Sequence, residues 1–415
     1  MTSHFFLLGS PLSAERLSWI EESLKFYFVK LNPENLLHHT KTPRDAVFVF
    51  LMTGEALYSL QDPHTLPVWE ILLSMPSVKI ICDLKELELR GISIARLKMK
   101  VPDQIIDSNS LALNGNPSFW KDVMKYARQH EQPVPSTVGY LQMESPYMNR
   151  SSHAALQYLA AGVEAHASVE FYTYLDGVHC GHTGQNPSEC ENIGKGLEDL
   201  QERALKKGLA FQMLACGRCS AARGYSTWDD GKGVVISTCT IKPVKIRNLN
   251  EIIGQFSRQH IILAKDSGSL HFQKEGLASS FPLQDTERSP PVNIFVTCRP
   301  YGTEVAFGAV SFAVACAYGG IQTRVIFIED GIYALTGDHK LDKESHFFNL
   351  QEVIDAVAGS ANLQFFAYQP SFSQRGLMKN KKLNAVLDIG IPELGQLLFY
   401  PPNGVSAGHQ RIFFF

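Results

Sequence analysis

The sequence predicts an α/β protein of three tandem units, each a mostly parallel sheet with helices on both faces. Three observations carry this. Short apolar and β-branched runs alternate with helical stretches such as 154–163 and 197–205, the rhythm of parallel strands covered by helices. A strand, a proline turn and a helical segment recur three times, and a repeat of that size sets the architecture. Two further landmarks, an acidic turn after a second strand and an Arg-Gly pair after a third, follow in the same order in each copy.

The first copy opens with Phe5-Phe-Leu-Leu-Gly-Ser-Pro11, which reads as a first strand and not as a secretory signal. Its second strand, Val47-Phe-Val-Phe-Leu-Met, leads to Glu55, and Arg90-Gly91 follows. The second copy starts at Val138 and turns at Pro146-Tyr147, ahead of a helix N-terminus able to bind an anion. Thirty residues after Pro146 stands Asp176-Gly177, and Arg223-Gly224 completes the copy. The third starts at Val292 and turns at Pro300-Tyr301; Asp330-Gly331 again lies 30 residues on, and Arg375-Gly376 closes it. The units are placed at 1–128, 137–266 and 290–396, with a C-terminal tail over 397–415. Polar linkers are read at Gln129–Ser136 and Ser267–Pro291. The aromatic end of the tail, Phe413-Phe-Phe415, is expected to dock on a neighbouring unit or subunit.

Composition narrows the function classes. With 38 basic and 41 acidic residues the net charge is −3, which gives no footprint for nucleic acid or an anionic membrane. No apolar run reaches the roughly 18 residues of a membrane helix. Eight cysteines scattered through apolar segments of a long chain read as reduced thiols in a cytoplasmic protein. No Gly-x-Gly-x-x-Gly or Walker pattern occurs, so no nucleotide cofactor is expected.

The chemistry-bearing stretch is Met213-Leu-Ala-Cys216-Gly-Arg-Cys219-Ser-Ala-Ala-Arg223-Gly224. It sets two thiols at a strand end, before a short helical segment and beside arginines, where a thiolate is favoured. Four readings fit the pair: sulfur carriage on Cys216, a thiol–disulfide couple, half of a zinc site, and inert buried thiols. Zinc would need two more ligands, for which His179, Cys180 and His182 are the weak clustered candidates; they could equally tune Cys216 or be loop residues. Asp176 and Asp330 are either turn formers or site residues. Arg223, like Arg90 and Arg375, either braces a helix or favours an anion on Cys216. Cys190, Cys239, Cys298 and Cys316 read as structural.

With these residues in view, the chain resembles the DsrE/DsrF/DsrH family, which includes the TusB, TusC and TusD sulfur-relay proteins and the YchN-type proteins. Tyr174-Leu-Asp-Gly-Val-His-Cys-Gly-His-Thr-Gly-Gln185 and Cys216–Gly224 carry the match of the second copy to the DsrE and YchN pattern. Pro300-Tyr-Gly-Thr, Asp330-Gly-Ile-Tyr and Arg375-Gly-Leu377 resemble a TusC/DsrF-type unit. The first copy is a divergent relative, matching at Leu57-Tyr58 and Arg90-Gly91-Ile92. The resemblance implies flavodoxin-like units that assemble as trimers and hexamers. It also implies an acceptor cysteine eight residues before the glycine, the place of Cys216, that takes sulfane sulfur as a persulfide. A TusA-like carrier as donor and a downstream sulfur acceptor are implied with it. The other copies depart from the pattern: Tyr368 and Asp83 hold the acceptor position, and Cys82 is one residue off. One working site per chain is therefore expected, with Cys216, Cys219 and Arg223 as its residues and no cofactor. The chain would fuse a trimer into one polypeptide and pair into a homodimer or higher oligomer. The alternatives are a non-catalytic scaffold and a redox protein using Cys216 and Cys219.

Overall fold

The computed structural model describes residues 2–31, 46–75, 77–101, 104–107, 119–128, 137–229, 231, 233–256, 261–272, 289–341, 348–400 and 408–415. The first unit runs β1 (Thr2–Leu8), α1 (Ala14–Leu31), β2 (Ala46–Met52), a 3-10 turn (Gly54–Leu60), α2 (Leu66–Ser74), β3 (Val78–Cys82), α3 (Leu84–Arg90), α4 (Ala95–Lys100), β4 (Ile105–Asp107) and α5 (Phe119–Arg128). The second repeats the order: β5 (Thr137–Gln142), α6 (Ser151–Glu164), β6 (Ser168–Thr173), a 3-10 turn (Leu175–Gly181), α7 (Ile193–Lys206), β7 (Phe211–Cys216) and α8 (Gly217–Ala222). A hairpin of β8 (Ser226–Asp229) and β9 (Gly233–Ile236) follows, then β10 (Val244–Arg247), α9 (Leu249–Phe256), β11 (Ile262–Ala264) and β12 (Ser267–Phe272). The third runs β13 (Val292–Val296), α10 (Val305–Tyr318), β14 (Thr323–Phe327), a 3-10 turn (Glu329–Leu335), α11 (Leu350–Val357), β15 (Leu363–Tyr368), α12 (Gln369–Arg375), β16 (Val386–Ile389), α13 (Ile391–Phe399) and β17 (Gly408–Phe414).

The sheets are mostly parallel and flanked by helices, as the alternating pattern predicts. They are not three independent sheets, however. The second unit forms a five-stranded sheet, β10-β7-β6-β5-β11, while the first and third merge into ten strands, β16-β15-β14-β13-β17-β12-β1-β2-β3-β4. The seam is β12, antiparallel to both β1 and β17. Two sequence expectations change here. The serine-rich segment from Ser267, read as a linker outside the second unit, begins with a strand of this central sheet. Ser267 is buried, and its hydroxyl is bonded to the N–H and C=O of Ala264, which satisfies the polar group. Likewise the boundary at 396 falls inside α13, and the aromatic end of the tail is a central strand, β17, pairing β13 in parallel. The linker read at 129–136 lies outside the described residues.

Burial on both faces explains the near-continuous apolar strands. Alternate residues of β2 enter different cores: Phe48, Phe50 and Met52 pack with Phe295 and Ile326 of the third unit, Val49 and Leu51 with Tyr140 and Phe171 of the second. A third core joins the second unit to the third through Tyr172, Leu214, Ile294 and Phe312. Each core is thus shared by two units, closing a ring of three.

The repeated landmarks have physical causes. Leu175 and Glu329 begin their 3-10 turns at φ 51° and 53°, with Gly54 at 56° in the first unit. In the two Asp-Gly turns a Cβ on Gly177 would lie 2.1 Å from the Gln142 carbonyl oxygen, and one on Gly331 1.8 Å from that of Val296. Only glycine lets those backbones touch. The proline turns place Tyr147 and Tyr301 so that each phenol accepts an N–H at the start of a later helix, from Ile193 at 3.2 Å and Leu350 at 3.1 Å.

Candidate functional site

The third strand of each unit ends in the same device. Asp83, Cys216 and Tyr368 are the N-cap residues of α3, α8 and α12. Eight residues later Gly91, Gly224 and Gly376 adopt left-handed backbone at φ 62°, 78° and 63°. Of the three N-caps only Cys216 is a thiol.

Cys216 is 2% exposed and lies in the core shared with the third unit. Its sulfur receives the Cys219 thiol hydrogen and the backbone N–H groups of Cys219 and Arg218, with the Arg218 charge nearby; these outweigh burial and bring its pKa down to about 7. Cys219 moves the other way, held protonated by donating to Cys216 and by burial. Its sulfur also accepts the Leu175 N–H at 3.3 Å, which fixes its rotamer against the 3-10 turn. The pair is one acid and one incipient thiolate.

Helix α10 of the third unit closes over this pair. The Tyr174 hydroxyl donates to the Gly308 carbonyl at 3.0 Å. Leu175 packs so tightly on the same turn that a Cβ at position 308 would lie 2.8 Å from its Cδ2. Arg218 stacks its guanidinium over Phe307, 4.8 Å from the ring centroid, and Phe307 stacks on Phe348.

The sequence leaves Arg223 two readings, a brace for its helix or a charge favouring an anion on Cys216, and its guanidinium donates to the Cys219 carbonyl of its own helix at 3.4 Å. Its guanidinium donates to Asp176 at 2.7 Å and to Glu304 at 2.9 Å, so two carboxylates occupy it. Arg218, one of the two arginines beside the thiols, is the nearby charge that favours the Cys216 thiolate. Asp176 thus has a role besides turn formation, as Arg223's partner. The third unit repeats this, with Arg375 bonded to Asp330 and to Glu15 of α1.

The weak metal candidates do not converge. Cys180 is buried in the core shared with the first unit, bonded to Ser152 at 3.4 Å, and burial pushes its thiol up to about 12. His179 Nδ1 pairs with the Tyr225 hydroxyl at 2.7 Å, and His182 Nδ1 accepts the Gly184 N–H. Among the described residues no three His, Cys, Asp or Glu side chains form a metal-ligand group. Cys82 sits in the core between first and third units, on the sheet face away from Asp83. Sequence reasoning had no access to Glu304, Phe307 and Gly308, because they come from a helix of another unit.

Fold and site together define an α/β protein with a buried pair of thiols at the carboxyl end of a parallel strand. The chain belongs to the DsrE/DsrF-like family, whose pattern it matches over residues 136–259 and 292–399. It is similar to an uncharacterized protein of Methanopyrus kandleri, 36% identical over 95 residues, which are 23% of this chain and 74% of that protein. Among solved structures it is similar to the E. coli ychN protein at 21% identity, covering 31% of this chain and 98% of that one, with a TM-score of 0.24. Among the described residues no helix is long and apolar enough to cross a membrane.

Proposed function

We propose that the protein is a sulfur-relay component that accepts sulfane sulfur on Cys216 and passes it on. The observation carrying this reading is the Cys216 N-cap sulfur, which receives the Cys219 thiol hydrogen and two backbone N–H groups, at the position that holds the acceptor cysteine in the sulfur-relay proteins the chain resembles. The Cys216 thiolate attacks the terminal sulfur of a donor persulfide. A new S–S bond forms at Cys216, the donor S–S bond breaks, and its electron pair leaves on the donor thiolate. The Cys219 thiol and the Arg218 and Cys219 N–H groups stabilise the persulfide anion. An acceptor thiolate then takes the outer sulfur by the same exchange, with no net redox change. A TusA-like carrier is the proposed donor and a downstream thiol the proposed acceptor, in a cytoplasmic homodimer or higher oligomer. The first unit, alike in topology, would be a divergent copy serving as frame.

The hydrogen bond between the two thiols favours a second reading, a redox couple in which the Cys216 thiolate attacks a substrate disulfide and expels one thiolate, and Cys219 then attacks the Cys216 sulfur of the mixed disulfide and expels the other. Intact mass separates the two. Incubation with a sulfane-sulfur donor should add about 32 Da, an adduct lost in Cys216→Ser and kept in Cys82→Ser. A loss of about 2 Da under mild oxidant, with the two cysteines bridged and no adduct under any donor, would replace carriage by redox use.

A further inference from the structure

The residue three after the N-cap does one structural job in both the second and third units. At the start of α12, Ser371 Oγ accepts the N–H of Glu329, the first residue of the 3-10 turn, at 2.9 Å. At the start of α8, the Cys219 sulfur accepts the N–H of Leu175, the first residue of its own 3-10 turn, at 3.3 Å. A serine hydroxyl therefore meets the need of the fold at this position. The thiol at 219 is chemistry beyond that need.

The same side chain touches the acceptor. The Cys219 thiol donates to the Cys216 sulfur. In helix geometry an N-cap and the residue three later have Cα atoms about 5 Å apart. That lies inside the roughly 4.4–6.8 Å a disulfide spans, so the two sulfurs can be joined without moving the backbone. Both cysteines are buried, 2% and 6% exposed, beneath α10. A persulfide formed on Cys216 thus has two possible takers. Loading by a donor requires α10 to open once, and an acceptor on another molecule requires a second opening. Cys219 requires none, and a reaction between groups already held in contact outruns one that waits for an encounter.

We infer that Cys219 discharges the Cys216 persulfide inside the protein, so that the site reduces sulfane sulfur to hydrosulfide and ends as a Cys216–Cys219 disulfide. This rests on the reading of Cys216 as a sulfur acceptor and adds a product to it. The Cys219 sulfur attacks the inner sulfur, Cys216 Sγ. The bond from that atom to the outer sulfur breaks, and its electron pair leaves on the outer sulfur. The Cys219 proton passes to the leaving sulfur, giving HS−. The outer sulfur gains two electrons, and the two cysteines lose them in forming their disulfide. An external dithiol restores the pair by exchange.

The test starts from the full chain loaded briefly with sodium tetrasulfide and freed of excess by rapid desalting. In the wild type the adduct of about 32 Da should decay to a mass about 2 Da below that of the reduced protein. About one equivalent of hydrosulfide should appear in the ultrafiltrate. Cys219→Ser should hold the adduct about tenfold longer or more and release no hydrosulfide. Ser371 is the precedent for a hydroxyl at that place, and the circular dichroism spectrum should be unchanged. Peptide mapping of the wild type locates the bridge whatever the variant does. A wild-type adduct that lasts as long as that of Cys219→Ser, or that moves to Cys219 without hydrosulfide, overturns the inference and leaves sulfur carriage standing. No adduct on Cys216 in either protein overturns the acceptor reading itself, and the inference with it.

Discussion

The guanidinium of Arg223 reaches from the second unit to the carboxylate of Glu304, 2.9 Å away, at the N-cap of the helix that covers Cys216. Arg375 and Glu15 repeat the contact at 2.8 Å between the third unit and the first. The chain therefore closes its ring of units with one ionic clasp used twice. At the remaining junction the helix N-cap is Arg150, and the charges reverse: Glu86 takes both Arg150 and Arg90.

The clasp bears on access to the thiol. Asp176 and Glu304 are more than half exposed, so water and salt screen the pairs and Glu304→Gln should cost less than about 1 kcal/mol of stability. It should nevertheless loosen α10. Alkylation of Cys216 by iodoacetamide is expected to speed up several-fold in this variant, and high salt should narrow the difference from wild type.

The thiol pair sets a pH signature. Alkylation of Cys216 should rise through about pH 7, and Cys219→Ala should move that midpoint up by one unit or more by removing the first hydrogen-bond donor. Cys219→Ser, which keeps a donor, should move it less, and Arg218→Ala should also raise it. Rates measured between pH 5 and 10 decide.

The same shift enters stability. The fold favours the Cys216 thiolate, so its contribution is fully present above the unfolded pKa of about 8.5 and is lost as pH falls through about 7. Cys219 is held protonated, so its contribution is present below about 8.5 and fades as pH rises further. Between about pH 7 and 8.5 only the first term changes, and wild type should gain stability relative to Cys216→Ser. Urea denaturation at both pH values measures it.

The Asp-Gly turns predict a contrast among glycines. Gly331→Ala drives a Cβ into the Val296 carbonyl and should cost about 3 kcal/mol or more, or block folding. Gly91→Ala meets open space and only the left-handed backbone penalty, about 1 kcal/mol. Chemical denaturation of both variants compares them.

Much of this was legible because it is local. Gly91, Gly224 and Gly376 mark helix ends through backbone handedness, and Cys216 stands at a fixed distance from its glycine. Apolar strands such as Val325–Ile328 announce sheets covered on both faces. Ser267 misled because composition reports polarity and not satisfaction: two local hydrogen bonds let that hydroxyl sit at zero exposure in a central strand.

The sequence by itself determined the α/β class, the threefold rhythm and the one thiol eight residues before the Arg-Gly glycine, since each depends on periodicity and short-range backbone geometry. The tertiary structure alone decided the rest. It set α10 over Cys216, tied Arg223 to carboxylates of two units, and joined two units through β12 and β17. Those outcomes depend on which residues from distant parts of the chain meet at the junctions, and packing, not local pattern, makes that choice.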